Sequence, residues 1–375
     1  MLKTKIFGVV LLIVSFSGVF ISSCFAKNEP RLNNGKKWRV AYYEGGPFSE
    51  YTDTMRTLVA GLIELGWITK ENPPDYHQEM PKPFLDWLIK SNSPYLSIEP
   101  ENCYSANWDD KVRVKFKNEL LSKLKNGAID LVIAMGTWAG QDLASNDHSI
   151  PVMVLSTSDP IRAGIIKSAE DSGFDHVTAR VDPTRYLRQI RMFHRIAGFN
   201  TLGIAFENSP DGKIYSALNE ARQVAKERNF QIVTCEVHDS IPDFTESDQS
   251  CYQCYRELIK KADAVYVTAL ACADRRTSEI ADILKNGSVP SFSLLGSKGV
   301  KEGLLLSISS DSGYAELGRY NSDKFGKILN GSMPRTLNQI FRDPLDIAVN
   351  LETAKAIHFD IPKSILKIAT EIYGE

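Results

Sequence analysis

The chain has 375 residues, of which 43% are hydrophobic and 24% charged, and its formal net charge is −2. That balance fits a globular protein of roughly two domains and excludes a collagen-like, largely disordered or multi-span membrane chain. Without a global positive field there is no electrostatic footprint for nucleic acid, and six cysteines are too few for a disulfide-dense mini-scaffold.

Residues 1–26 read as an export signal. Lys3 and Lys5 form a basic head, no charge occurs from Ile6 to Ala26, and the stretch from Phe7 to Val14 is strongly apolar. Its end fits more than one fate. Ile21-Ser22-Ser23-Cys24 resembles a bacterial lipobox, in which Cys24 would be lipidated, whereas Cys24-Phe25-Ala26 fits ordinary cleavage before Lys27. The stretch is also about long enough to remain as an anchor. Each fate puts residues 27–375 outside the cytoplasm, free in the periplasm or held at the outer face of a bacterial membrane. Asn28 to Lys37 is polar and reads as a tether.

The body alternates strand and helix. Trp38–Tyr43 is a short β-type run ending in the turn signal Glu44-Gly45-Gly46-Pro47. Met55, Leu58, Val59, Leu62 and Ile63 then recur at helical spacing up to Gly66. Pro73 to Trp108 breaks the rhythm with six prolines and six aromatic residues; it reads as an ordered insertion, either capping the first lobe or acting as a lid. A helix over Lys117–Lys125 precedes Asp130–Met135, an apolar run of the kind buried on both faces of a parallel sheet. The unit repeats at Val152–Leu155, at Thr201–Phe206 with a helix from about Lys213 to Arg228, at Phe230–Val233, and at Ala264–Thr268 with a helix to about Lys285. A break falls near Gly173–Asp182, after which the pattern restarts with a helix over Thr184–Arg195. These are too many strands for one comfortable sheet, so the fold class is α/β with two Rossmann-like lobes. In such sheets ligands sit beyond the carboxyl ends of the strands, so two facing lobes make a cleft able to close by hinge motion.

Catalytic and metal motifs are missing. No G-x-G-x-x-G follows a strand, and there is no Walker A, H-E-x-x-H, G-x-S-x-G or EF-hand loop. The six histidines show no paired spacing and Asp109-Asp110 reads as a solvated pair. No cofactor, no metal and no enzyme activity are therefore expected. Cys235, Cys251, Cys254 and Cys272 are disulfide candidates, the default in an oxidising compartment; a zinc site or a redox pair at Cys251/Cys254 are the rival readings.

The strand-end loops carry the binding chemistry. Gly136 and Thr137 begin a helix whose free N–H groups attract a carboxylate. Ser158 and Asp159 follow the next strand, with Asp159 suited to an amine. Asn208, Ser209 and Thr268 hold the matching positions of the second lobe. Glu44 and Phe48, beside the first strand, join the set, with aromatics such as Tyr43, Phe48 and Trp138 available for an apolar body. The competing reading of each polar residue is turn or cap chemistry.

Asp130–Thr137 followed by Pro151-Val152-Met153-Val154-Leu155-Ser156-Thr157-Ser158-Asp159-Pro160 resembles the strand–G-T and P-V-x-x-x-x-x-S-D-P pattern of ABC-transporter substrate-binding proteins of the tryptophan/tyrosine type. Tyr314-Ala315-Glu316-Leu317-Gly318 with Lys327–Gly331 resembles the family's Y-x-E-L-G…K-I-L-N-G stretch, and Asn350–Ala356 with Ile361–Leu366 resembles its tail. The resemblance implies a bilobed, hinge-bending receptor of the type I periplasmic-binding-protein kind. It would deliver a small polar solute, an amino acid among the candidates, to an ABC permease and ATPase, as a monomer. By carry-over Gly136, Thr137, Ser158 and Asp159 contact the solute from lobe 1, and the Asn208 and Thr268 loops from lobe 2. Tyr314 and Asp311 are added, although Gly313 stands where the family has an acid next to the tyrosine. Lobe 1 is expected to take residues 36–178 and about 311–340, with the insertion at 73–108, and lobe 2 about 179–310 and 341–375. A sensory receptor using the same cleft is the alternative.

Overall fold

The computed structural model describes residues 28–69, 81–91, 93–294, 296–308 and 311–374. The export signal with Cys24, and the start of the proline-rich segment, lie outside the described residues.

The first lobe is built on β1 (Trp38–Glu44), which is followed by α1 (Ser49–Glu64) and α2 (Pro81–Ile89). Then come β2 (Leu96–Ser97), β3 (Cys103–Ser105), α3 (Asp110–Lys125), β4 (Leu131–Met135), α4 (Gly136–Leu143), β5 (Val152–Leu155) and β6 (Val177–Ala179). All pairings in its sheet are parallel, in the order β2-β1-β4-β5-β6, with β3 also on β1. Every residue of β4 and β5 is buried, as a parallel strand covered by helices on both faces requires. The proline-rich segment is not laid over a finished sheet: Leu96–Ser97 pair with Trp38–Arg39 and Cys103–Ser105 with Tyr42–Glu44, so it supplies the edge strand in two pieces.

The second lobe runs α5 (Arg185–Ala197), β7 (Thr201–Phe206), α6 (Pro210–Tyr215), α7 (Leu218–Arg228), β8 (Gln231–Glu236), α8 (Phe244–Leu258), β9 (Ala264–Val267) and α9 (Ala271–Arg275). It continues through α10 (Thr277–Asn286), β10 (Ser291–Ser293), α11 (Ser297–Lys301) and β11 (Leu306–Ser307). The chain then crosses back as α12 (Asp311–Leu329), which packs along α1. A Cβ on Gly318 would stand 2.5 Å from the Thr57 carbonyl oxygen, so this glycine lets the two helices approach. β12 (Ile347–Asn350), α13 (Leu351–Ala356), α14 (Lys363–Leu366) and β13 (Ala369–Tyr373) complete the second sheet. Its order is β13-β12-β11-β10-β9-β7-β8, parallel except where β12 runs against β11. The single helix expected over Lys213–Arg228 is two, because Ala217 takes a left-handed φ of 54° between them.

Three crossings join the lobes, after β6, after β11 and before β12. Two of them run side by side: Val181 N–H donates to the Gln339 carbonyl at 2.8 Å and Phe341 N–H to the Val181 carbonyl at 3.1 Å. Asp343 pairs there with Arg180 and, at 3.2 Å, with Arg185. Burial opposes its charge, but these guanidiniums hold the Asp343 carboxyl below its ordinary range. In lobe 2, disulfides join Cys235 to Cys254 and Cys251 to Cys272, with Cα–Cα distances of 5.6 and 6.3 Å. They tie β8 to α8 and α8 to α9.

Candidate functional site

The carboxyl ends of the strands of both lobes face one cleft of about 520 Å³, counting the space at its mouth. Lobe 1 lines it with Phe48, Glu50 and Tyr51 at the start of α1, Trp108 after β3, Thr137 and Trp138 at the start of α4, and Ser156 and Ser158 after β5. Lobe 2 contributes Tyr215 from the end of α6, Asp239 and Ser240 after β8, and Ala269 and Ala271 around the start of α9.

The lobe 1 wall is aromatic because glycines make room for it. Trp108 and Trp138 meet edge to face with centroids 5.5 Å apart, and Phe48 meets Tyr51 at 5.4 Å. A Cβ on Gly46 would stand 2.5 Å from the Trp108 ring, and one on Gly45 would stand 3.0 Å from the Cβ of Trp138. The Gly45-Gly46 pair therefore seats both indoles, beyond making a turn. Gly136 has φ +78°, which favours glycine, and a Cβ there would fall on the Tyr51 hydroxyl. Arg113, which does not line the cleft, lies 4.5 Å from the Trp138 ring centroid. Its guanidinium is held by Asp142 at 3.0 and 3.1 Å, and the same carboxylate accepts the Tyr43 hydroxyl at 2.7 Å. Two buried polar atoms of this wall, Trp108 Nε1 and Ser156 Oγ, have no hydrogen-bond partner among the described residues. Ser156 is also held at φ 53°, a region sparsely used by residues other than glycine.

The lobe 2 wall is acidic and internally bonded. The Asp239 carboxylate accepts the N–H groups of Ala271 at 2.7 Å and Cys272 at 2.8 Å, at the start of α9. Burial pushes its pKa up to about 6 against the pull of those two bonds. The Glu207 carboxylate accepts the hydroxyls of Tyr215 and, at 2.8 Å, Ser240. Polar contacts between the lobes hold the two walls together. Asp274 accepts the backbone N–H of Ser49 at 2.7 Å and also its hydroxyl; Gln141 donates to Asp211 at 2.9 Å; and Arg162 meets Glu220 at 2.7 Å.

The structure brings Phe48, Thr137 and Ser158 of the expected set to the cleft, with Gly136 against Tyr51 just beside it. Glu44 lies buried at the end of β1, where it accepts the Tyr42 hydroxyl, and burial pushes its pKa up to about 7. The other polar candidates are engaged in local structure. Asp159 accepts the N–H groups of Ile161 and Arg162 at 3.0 Å. Asn208 donates to Glu236 at 3.1 Å, Ser209 caps α6 through Gly212 N–H, and the Thr268 hydroxyl donates to the Ala205 carbonyl at 2.8 Å. Tyr314 lies in the first turn of α12, and the side chain of Asp311 is outside the description. Glu50, Tyr51, Trp108, Tyr215, Asp239 and Ser240 are the cleft residues that sequence reasoning passes over. Asp239 could be reached by applying the strand-end rule to β8 as well, and Trp108 by asking what needs two adjacent glycines.

The family described as ABC transporter substrate binding protein matches residues 110–373. A tyrosine-binding protein of Clostridioides difficile (strain R20291) is 21% identical over 261 residues, covering 66% of this chain and 71% of that protein. Among solved structures, the ABC domain of Streptococcus pneumoniae in complex with L-Trp matches with a TM-score of 0.69 at 18% identity, over 90% of this chain and all (100%) of that one. The ligand-free, open structure of a substrate-binding protein with adhesive properties from Clostridium difficile matches with a TM-score of 0.57 at 19% identity, over 90% and 100% of the two chains. At these identities the structural likeness is one of fold, the two-lobed arrangement of type I periplasmic binding proteins.

Proposed function

The chain belongs to the ABC transporter substrate-binding protein family, and on that premise we propose that it captures a small amphipathic solute between its lobes for import. A membrane permease and its ATPase would take the solute from the closed form, and the chain itself would do no chemistry. The observation that carries this reading is the pair of unpartnered buried atoms, Trp108 Nε1 and Ser156 Oγ, in an aromatic cleft between two lobes. A buried polar group without a partner costs about 1–3 kcal/mol. A solute that bonds these atoms removes that cost only in the closed form, and so shifts the population toward closure.

Export is part of the proposal. The signal-like residues 1–26 and two disulfides in lobe 2 both suit an oxidising compartment outside the cytoplasm. Lobe 1, in this proposal, is residues 36–178 with about 311–340, and the crossings around Asp343 form the hinge. The relatives named for tyrosine and bound to L-Trp make aromatic amino acids the first solutes to try.

A thermal-shift panel of amino acids, amines, carboxylates, purines and small peptides tests the reading. A true solute at a hundredfold excess over its dissociation constant adds about 2.7 kcal/mol of stability, and Trp108→Ala abolishes the shift. A panel that leaves the melting temperature unmoved, together with small-angle scattering that shows no closure, would overturn it.

A further inference from the structure

We infer that the solute is an organic cation, an amine or quaternary ammonium carried on an apolar body, in preference to an anion or a zwitterion. This deepens the binding reading above and rests on it. Among the described residues that line the cleft there are two carboxylates, Glu50 and Asp239, and no lysine, arginine or histidine. Of the cations nearby, Arg113 is committed to Asp142, Arg162 to Glu220 and Arg275 to Asp248, while Arg185 pairs with Asp343 and is also felt by Glu50. Lys298 lies 3.8 Å from Asp274.

The backbone donors that would welcome a solute carboxylate are also largely taken, by carboxylates of the chain itself. Asp274 sits on the first N–H of α1, and Asp239 sits on the N–H groups of Ala271 and Cys272. An incoming anion would displace one of them or face both. The start of α4 beside Thr137 remains, which makes a zwitterion the intermediate case. Aromatic rings supply the complementary attraction. Tyr51, Trp108, Trp138 and Tyr215 present electron-rich rings to the same space as the two acids, and such rings draw ammonium groups into desolvated sites. The Trp108 N–H, a pure donor with no partner among the described residues, asks in addition for one acceptor oxygen or nitrogen on the solute body.

The test is titration calorimetry with three molecules that share an indole body: tryptamine, L-tryptophan and indole-3-propionate, at neutral pH and moderate salt. Choline and a set of aliphatic amines are run beside them. The cation reading expects an amine or quaternary ammonium to bind at least tenfold more tightly than the zwitterion, and the acid to bind most weakly. Asp239→Asn should cut amine affinity at least tenfold and leave the acid unchanged or improved. Because Asp239 also holds the start of α9, Glu50→Gln serves as a second variant, with the same direction expected. Tryptophan or indole-3-propionate binding as tightly as the best cation would overturn the cation reading and leave solute binding intact. Silence from cations, zwitterions and acids alike would overturn solute binding itself, and the cation reading with it.

Discussion

On the lobe 1 wall of the cleft, Trp108 and Ser156 carry buried polar atoms with no partner among the described residues. On the lobe 2 wall Asp239, and behind that wall Glu207, each accept two hydrogen bonds from within the chain. The first wall is incomplete by itself and the second is complete. Lobe 2 is also stapled, since the Cys251–Cys272 disulfide anchors α9, whose start carries Ala271 and holds Asp239. Folding and binding can therefore be perturbed separately through the two walls. Damage to the lobe 2 disulfides should be read first as lost stability, and damage to the aromatic wall first as lost solute.

The largest effect expected from this contrast is in lobe 2. Replacing Cys251 and Cys272 together by alanine opens a link between residues separated by 21 positions. Loop-closure entropy for a link of that size is worth about 3 kcal/mol. Urea unfolding followed by fluorescence should show a transition at lower denaturant with that loss. A loss below about 1 kcal/mol would mean that lobe 2 does not depend on its staple.

Asp274 comes next because it belongs to both walls. It sits in α9 of lobe 2 and accepts two bonds from Ser49 of lobe 1. Asp274→Ala removes a charge-assisted pair of roughly 2 kcal/mol, and the loss falls on the closed form. Without solute, small-angle scattering should report a larger radius of gyration than for the native chain. Solute affinity should drop in step, since a rarer competent state weakens apparent binding by the same fraction. An unchanged radius and affinity would show that the contact follows closure without helping to hold it.

The legibility of this molecule in its sequence follows the same divide. Strands that are long, apolar and buried on both faces, such as Leu131–Met135 and Thr201–Phe206, announce themselves by composition. The strands at Leu96–Ser97, Cys103–Ser105 and Leu306–Ser307 do not, because two or three residues carry no periodicity and exist only through their ladder partners. In the cleft, Thr137 and Ser158 are legible as strand-end residues. Asp159 and Thr268 share that signal, but Asp159 bonds the N–H groups just after it and Thr268 bonds the Ala205 carbonyl on the neighbouring strand, uses that a sequence cannot distinguish from ligand contacts. Trp108 and Asp239 line one cleft from distant parts of the chain. The unpartnered state of the Trp108 N–H is a property of the packed surroundings, with no local sequence mark.

The smallest effect sets the buried acids of the two lobes against each other. Glu44 in lobe 1 and Asp239 in lobe 2 are both raised by burial, to about 7 and about 6. A carboxyl raised in the folded state favours folding while it stays protonated. Its stabilisation is fully present below the unfolded value and is lost as pH rises through the folded one. For Asp239 that loss is nearly complete by pH 6 to 7, whereas for Glu44 it continues through pH 7. Between pH 6 and 8, Glu44 should therefore remove about 1 kcal/mol of stability, and Asp239 less than half as much. Glu44→Gln keeps a side chain able to bond the Tyr42 hydroxyl and cannot ionise, so its unfolding free energy should be flatter over that interval by about 1 kcal/mol. Denaturant midpoints measured at half-unit steps of pH would resolve the change in slope. A slope unaltered by Glu44→Gln would move the titration to lobe 2, and would mean that the end of β1 admits enough water to keep Glu44 an ordinary carboxylate.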